Sequence, residues 1–314
     1  GRHVTARALA EGHAVRATLR DPTREAELRT ALGGPAALEV ARTDLEDDAG
    51  WADALAAIDA VLHTASPVPV TTPKHDAEVI VPAVEGTRRV LEAAARAGVA
   101  RAVVTSSIAA ILGAPGKGPG DLYGPEDWTD PDAPGLRAYA RAKTRAERAA
   151  REIAAARGIA LATVNPGFVF GPPLGGPVTS SLTLIARLMD GSIPALPRIA
   201  FPSIDVRDVA EAHLRALEAA PGARILASGE TLWLPEMARI VREAVPGARV
   251  PRLVAPDWLV RLAARVSTDL RTFAGGVGEA RHTDPSGCEA LLGRPLADPR
   301  VAIADTARAL RASR

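Results

Sequence analysis

The chain has 314 residues, 47% hydrophobic and 24% charged, with 38 basic residues set against 37 acidic ones. This near-neutral balance leaves no basic footprint for nucleic acid or an anionic membrane, and no run reaches the ~18–20 apolar residues of a membrane span. One cysteine, Cys288, excludes an internal disulfide framework and a cysteine-rich zinc site; nothing reads as a signal peptide, and a reducing cytoplasm is the expected compartment.

In chain order, short β-rich runs alternate with longer helical patterns, the order of a parallel sheet covered by helices. Residues 2–11 read as a helix closed by Gly12, and Ala14–Leu19 as a strand ended by the turn Asp21-Pro22. A short strand at Glu39–Ala41 precedes Asp44-Leu45, and Ala60–Thr64 is the next strand. A helix over Pro82–Ala97 stops at Gly98; strand Ala102–Ser106, helix Tyr139–Arg157 and strand Ala160–Asn165 follow. After Pro166 the texture changes, with Pro and Gly clustered at 166–177 and 191–202 around a helix at Ser180–Met189. A helix at Val206–Glu218 and a strand at Ile225–Ala227 then return to the α/β pattern, and the remainder is mostly helical. The fold expected is a doubly wound parallel sheet with a smaller, mostly helical substrate lobe. Residues 1–165 and 205–228 form the dinucleotide-binding part, and 166–204 and 229–314 the lobe.

Such a fold begins with a strand and a Gly-rich turn into the first helix. Here Gly1 opens a helix directly and stands where the last glycine of that turn would be. In the strand that follows, alternation puts Arg16, Thr18 and Arg20 on one side, with Arg20 at the carboxyl end where the adenosine ribose is met. An acid there binds a 2′-hydroxyl, whereas an arginine suits a 2′-phosphate, pointing to NADP(H). Asp44 is placed to accept from the adenine amino group.

Tyr139-Ala140-Arg141-Ala142-Lys143 is the strongest local signal, since positions i and i+4 share a helix face. A phenol with a pKa near ~10 donates a proton poorly at neutral pH, and a nearby ammonium lowers that pKa. The pair is a general acid with its tuner. Tyr139 is one of two tyrosines, and Lys143 one of three lysines beside Lys74 and Lys117, which sharpens the pattern. Ser107, at the carboxyl end of a buried strand, offers a hydroxyl to a carbonyl oxygen; with no GxSxG elbow, it is not read as a nucleophile. Among weaker features, His63 suits either the core or the cofactor, and His213 the core. Asp205, Arg207 and Asp208 read as an ion-pair segment. Trp233, Met237, Trp258 and Phe273 read as a small hydrophobic core, and no cluster has metal-ligand spacing.

The stretches VRATLRDPT (15–23), DLEDD (44–48), HTASPV (63–68), VVTSS (103–107), YARAK (139–143), NPGFVFGP (165–172) and DVRDVAEAH (205–213) together resemble the extended short-chain dehydrogenase/reductase family. The similarity is strongest to its dihydroflavonol-reductase, cinnamoyl-CoA-reductase and bacterial aldehyde-reductase branch. The resemblance implies NADPH-dependent reduction of a small-molecule carbonyl by a monomer or homodimer. Ser107 would polarise the carbonyl, Tyr139 would protonate the alkoxide, and Lys143 would also hold the nicotinamide ribose. Cofactor contacts would come from Gly1, Arg20, Asp44, Leu45, Thr64, Ala65 and Ser66, and from Pro166, Gly167 and Val169 beside the nicotinamide. The family's first strand and two earlier glycines have no counterpart here, so the chain reads as shortened at its amino end. Two other functions share the scaffold: a sugar-nucleotide epimerase or dehydratase, and a non-catalytic NAD(P)-sensing protein.

Overall fold

The computed structural model describes residues 1–66, 75–176, 180–265 and 276–312. Helix α1 (Arg2–Ala10) leads into strand β1 (Val15–Leu19), which pairs in parallel with β2 (Leu38–Arg42) after helix α2 (Glu25–Ala31). A short α3 (Trp51–Leu55) precedes β3 (Ala60–His63), α4 (Ala77–Arg96) and β4 (Arg101–Thr105). Beyond the short β5 (Leu122–Tyr123) come α5 (Ala138–Arg157) and β6 (Ala160–Pro166), then β7 (Phe168–Phe170) and α6 (Ser180–Asp190). Strand β8 (Ala200–Asp205), α7 (Val206–Arg215), β9 (Arg224–Ala227), β10 (Thr231–Trp233) and α8 (Leu234–Ala244) follow. The chain finishes with α9 (Asp257–Ala263), β11 (His282–Thr283), α10 (Ser286–Leu292) and α11 (Pro299–Ala312).

Strands β3, β4, β6 and β9 form a parallel four-stranded sheet in that order. Alternation along its central strands separates two cores, as a sheet covered on both faces requires. Ala102, Val104 and Leu161 turn toward α4 and α5, where Val90, Leu91, Ala150 and Ile153 meet them. Val103, Ala162 and Val164 turn the other way, against Val209 and Ala212 of α7 and Cys288 of α10. The β1–β2 pair lies apart from this sheet: β1 and β3 line a common cavity of ≈ 980 Å³ and are not hydrogen-bonded to each other. The doubly wound order puts one more strand between two such edges, and no described strand occupies that place.

A third core gathers Phe170, Phe201 and Leu232 of the sheet β10-β8-β7 with Ile185, Met237 and Ile303 from α6, α8 and α11. Its three strands, of three to six residues, carry too few alternations to register as a period in the sequence. Helix α4 begins five residues ahead of the expected start at Pro82. The proline removes one backbone donor inside the helix, but Val79 and Ala83 around it are buried against Ala142 and Ala146 of α5, and that burial outweighs the lost bond.

His213 of α7 shows how the layers are locked. Its ring is 1% exposed, with Nε2 bonded to Thr105 Oγ1 at 2.6 Å and Nδ1 to the Val209 carbonyl at 2.7 Å. Burial lowers its pKa to about 4. The unfolded chain therefore binds a proton from pH 6.5 downward that the folded chain refuses until about pH 4. The stabilisation is complete above pH 6.5 and is lost as pH falls through that window, at most about 3 kcal/mol for this residue. Urea unfolding at pH 7.5, 5.5 and 4.5 should show this loss, with a visibly shallower pH dependence in His213→Phe.

Candidate active site

Three strand ends of the four-stranded sheet, β3, β4 and β6, meet where α5 begins. Past Thr105 the chain leaves β4, and Ser107 caps a 3-10 turn at Ile108–Ala110, its Oγ accepting from the Ala109 amide at 3.1 Å. Ser107 is buried, and its hydroxyl acts on that of Tyr139, the second residue of α5, pulling the phenol pKa down. Lys143 follows one turn later, 8% exposed, with Nζ directed at the Thr105 carbonyl at 3.4 Å. The two hydroxyls and the ammonium expected from the sequence are thus gathered at one corner.

Their electrostatics differ from the simple Tyr–Lys pairing. Burial of its hydroxyl raises the Tyr139 pKa, although the residue as a whole is 38% exposed. The neighbouring Ser107 hydroxyl and the positive charge of Arg137 pull it back down. Arg137, at the cap of α5, was not singled out in the sequence. In an arginine-rich chain, only its spacing two residues ahead of Tyr139 hints at it. Burial lowers Lys143 to about 8, opposed by the Glu147 carboxylate one turn further along α5. His63, at the end of β3, is buried beside that ammonium and lowered to about 4, so it is neutral at pH 7.

Most of the expected cofactor contacts converge. Gly1, Arg20, Asp44, Leu45, Thr64, Ala65 and Ser66 all line the large cavity beside β1 and β3. A Cβ on Gly1 would come 3.0 Å from Thr64 Oγ1, so the amino end of α1 lies directly against the end of β3. Asp44 sits in a tight turn, its Oδ1 accepting from the Glu46 amide at 3.0 Å and its carbonyl from Trp51 Nε1 at 3.0 Å. Leu45 abuts Gly86 of α4, where a Cβ would lie 3.2 Å from the leucine Cβ. Pro166 ends β6, and Val169 lies in β7, away from this cavity. Gly167 between them allows a close backbone approach: a Cβ there would be 2.5 Å from the Pro202 carbonyl oxygen. The segment after β7 folds over α1, with His3 Nε2 bonded to the Pro172 carbonyl at 2.9 Å and Arg2 donating to Leu174 at 2.8 Å.

These observations fit a dinucleotide. The start of a nine-residue helix beside a strand end offers free amides to phosphate, and an exposed arginine ends the neighbouring strand. The weaker features are structural. Asp205 caps α7 and pairs with Arg207 at 2.5 Å, while Asp208 pairs with Arg294 at 2.7 Å. Met237 is fully buried, Trp233 is partly buried, Trp258 is 67% exposed, and Phe273 lies outside the described residues. No group of metal-ligating side chains occurs among the described residues, and none of their helices is long and apolar enough to cross a membrane.

Comparison with known proteins agrees with this geometry. The model of the NAD dependent epimerase/dehydratase family matches residues 1–227. Cinnamoyl-CoA reductase 1 of Oryza sativa subsp. japonica is 36% identical over 251 residues, covering 78% of this chain and 73% of that protein. Among solved structures, gox2253 superposes with a TM-score of 0.81 at 25% identity, covering 99% of this chain and 94% of its own. The yeast methylglyoxal/isovaleraldehyde reductase Gre2, complexed with NADPH, has a TM-score of 0.80 at 24% identity, covering 99% and 95%, and so shares the fold.

The buried ammonium yields a prediction about stability. Lys143 holds its proton to pH 10.5 when unfolded but only to about 8 when folded. Below pH 8 the folded state therefore carries a cost of roughly 3 kcal/mol, which disappears as pH rises from 8 to 10.5. Lys143→Met should raise the denaturation midpoint at pH 7, and this advantage should shrink toward pH 10. An advantage independent of pH would point to packing instead.

Proposed function

The chain belongs to the NAD dependent epimerase/dehydratase family, and we propose that it is an NADPH-dependent reductase converting an aldehyde or ketone to the alcohol. The observation that carries this reading is the Ser107 hydroxyl acting on the Tyr139 phenol at the corner that also holds the buried Lys143 ammonium. Relatives named cinnamoyl-CoA reductase and anthocyanidin reductase, at 36% and 31% identity, support it over the sugar-nucleotide alternative.

Bound NADPH would supply the hydride. The protein's own part is to orient the carbonyl and move a proton. Ser107 Oγ donates to the carbonyl oxygen, concentrating positive potential where negative charge develops. Tyr139 delivers its phenolic proton to that oxygen. Its raised pKa keeps it protonated at neutral pH until the charge of Arg137 and the Ser107 hydroxyl assist the transfer. Lys143 steadies the resulting phenolate and holds the nicotinamide ribose hydroxyls. Gly1, Thr64, Ala65 and Ser66 would take the diphosphate side, Asp44 and Leu45 the adenine, and Arg20 the 2′-phosphate, with Pro166, Gly167 and Val169 beside the nicotinamide. Residues 166–204 and 229–314 would form the substrate lobe, and 1–165 with 205–228 the dinucleotide part. We take the enzyme to be cytoplasmic, in keeping with its single, buried, free cysteine.

NADPH oxidation measured against a panel of small aldehydes and ketones tests the assignment, and a protein inert toward all of them contradicts it. Tyr139→Phe should lose about 10²–10⁴ of the turnover while binding NADPH nearly as before, because only the proton is deleted. Arg20→Asp should shift the NADPH-to-NADH preference by about tenfold or more toward NADH, the equivalent of one charge-assisted contact. A wild-type protein that already prefers NADH would contradict the role given to Arg20.

A further inference from the structure

Beneath the hydroxyl pair lies a polar cluster that the chemistry above does not use. Its centre is Glu147, 1% exposed and one turn beyond Lys143. Tyr139, Lys143 and Glu147 follow each other at intervals of four residues and so form one stripe of α5. Carboxylate Oε2 accepts from Ser106 Oγ at 2.5 Å and from Asn165 Nδ2 at 2.8 Å. Oε1 accepts from Arg224 Nε at 2.6 Å and from Thr163 Oγ1 at 3.2 Å. The Asn165 amide also reaches the carbonyl of Ser107 at 3.3 Å. Arg224 in turn stacks 3.7 Å over the Trp128 ring and donates to the carbonyls of Pro125 and Asp127 at 2.5 and 2.6 Å.

A buried ion pair is a poor way to gain stability, because desolvation offsets the attraction and apolar residues of similar volume serve as well. What this one does that apolar residues cannot is join the ends of β4 and β6 at the residues flanking Ser107. It also sets an anion next to Lys143. The ionisable groups that interact with that ammonium are Glu147 from its own helix and His63 from β3, and Glu147 is the anion of the two. We propose that Glu147 is a positioning residue: its carboxylate, anchored by Arg224, holds the Ser106–Ser107 corner in register with Tyr139 and balances the Lys143 ammonium. The proposal rests on the reductase reading of the same site.

With three lysines in the chain, 13C-lysine labelling gives a spectrum in which the Lys143 signal is assigned by its loss in Lys143→Met. This titration needs no turnover. In Glu147→Gln the Lys143 midpoint should fall from about 8 by about one unit. The alkaline limb of the kcat profile should move with it, and kcat should drop about tenfold to a hundredfold at little change in KM. Because Arg224 is left unpaired in that variant, Glu147→Gln/Arg224→Gln is measured beside it. A cooperatively melting variant of either kind that keeps the wild-type kcat and Lys143 midpoint overturns the proposal. If neither melts cooperatively, Glu147→Asp decides. Its charge should leave the midpoint near that of wild type while the shorter reach lowers kcat, and an unchanged kcat overturns the proposal. A wild-type protein that reduces no carbonyl refutes the reductase reading instead, and the lysine titration still tests the pairing of Glu147 with Lys143.

Discussion

An ammonium held almost out of water is the constraint around which this structure is arranged. Lys143 is 8% exposed, and burial brings its pKa down to about 8 against the opposing pull of the Glu147 carboxylate. A charge in that position is tolerated only with oriented partners, and each partner fixes a different element. The Thr105 carbonyl comes from the end of β4 and the Glu147 carboxylate from the next turn of α5. Arg224, at the start of β9, completes the charge balance. The parallel sheet makes this convergence possible, because its strands all end on the same side and α5 runs past three of them.

Helix α5 acts as the ruler of the site. Small residues on one side, Ala142 and Ala146, let it pack closely on α4, while Ala150 and Ile153 anchor it on the sheet. The adjoining stripe of the same face carries Tyr139 and Lys143 at the depth set by that packing. A shift of the helix would move phenol and ammonium together and separate them from Ser107, which is held in the turn that follows β4. Site geometry and helix packing are therefore one problem, and the buried polar cluster lies at the seam between them.

The sequence made the central strands and α5 legible because their hydrophobic periods are long enough to count, and the Ser–Tyr–Lys set because tyrosine and lysine are scarce. Its limits have physical causes. Strands β7, β8 and β10 owe their form to one another, and the sequence shows β7 and the start of β8 only as Pro/Gly-rich chain and β10 only as part of a mostly helical remainder. Arg137 and Glu147 looked like ordinary charges on the helix surface. Only the tertiary fold shows that Glu147 is buried with four donors and that Arg137 acts on the phenol. The residues expected to meet the cofactor share a neighbourhood: Gly1 approaches Thr64, and Arg20, Asp44 and Leu45 border one cavity with it. The docking of Trp51 Nε1 on the Asp44 carbonyl, seven residues away in the chain, was not legible.

The central claim is that Ser107 and Tyr139 act on one oxygen atom. A crystal structure of the ternary complex with NADP⁺ and the alcohol product of the best carbonyl substrate tests it most directly. The product oxygen should lie within about 2.6–3.2 Å of both hydroxyls, on the side of the nicotinamide. An oxygen bound to neither hydroxyl, or the two hydroxyls facing different parts of the ligand, would contradict it.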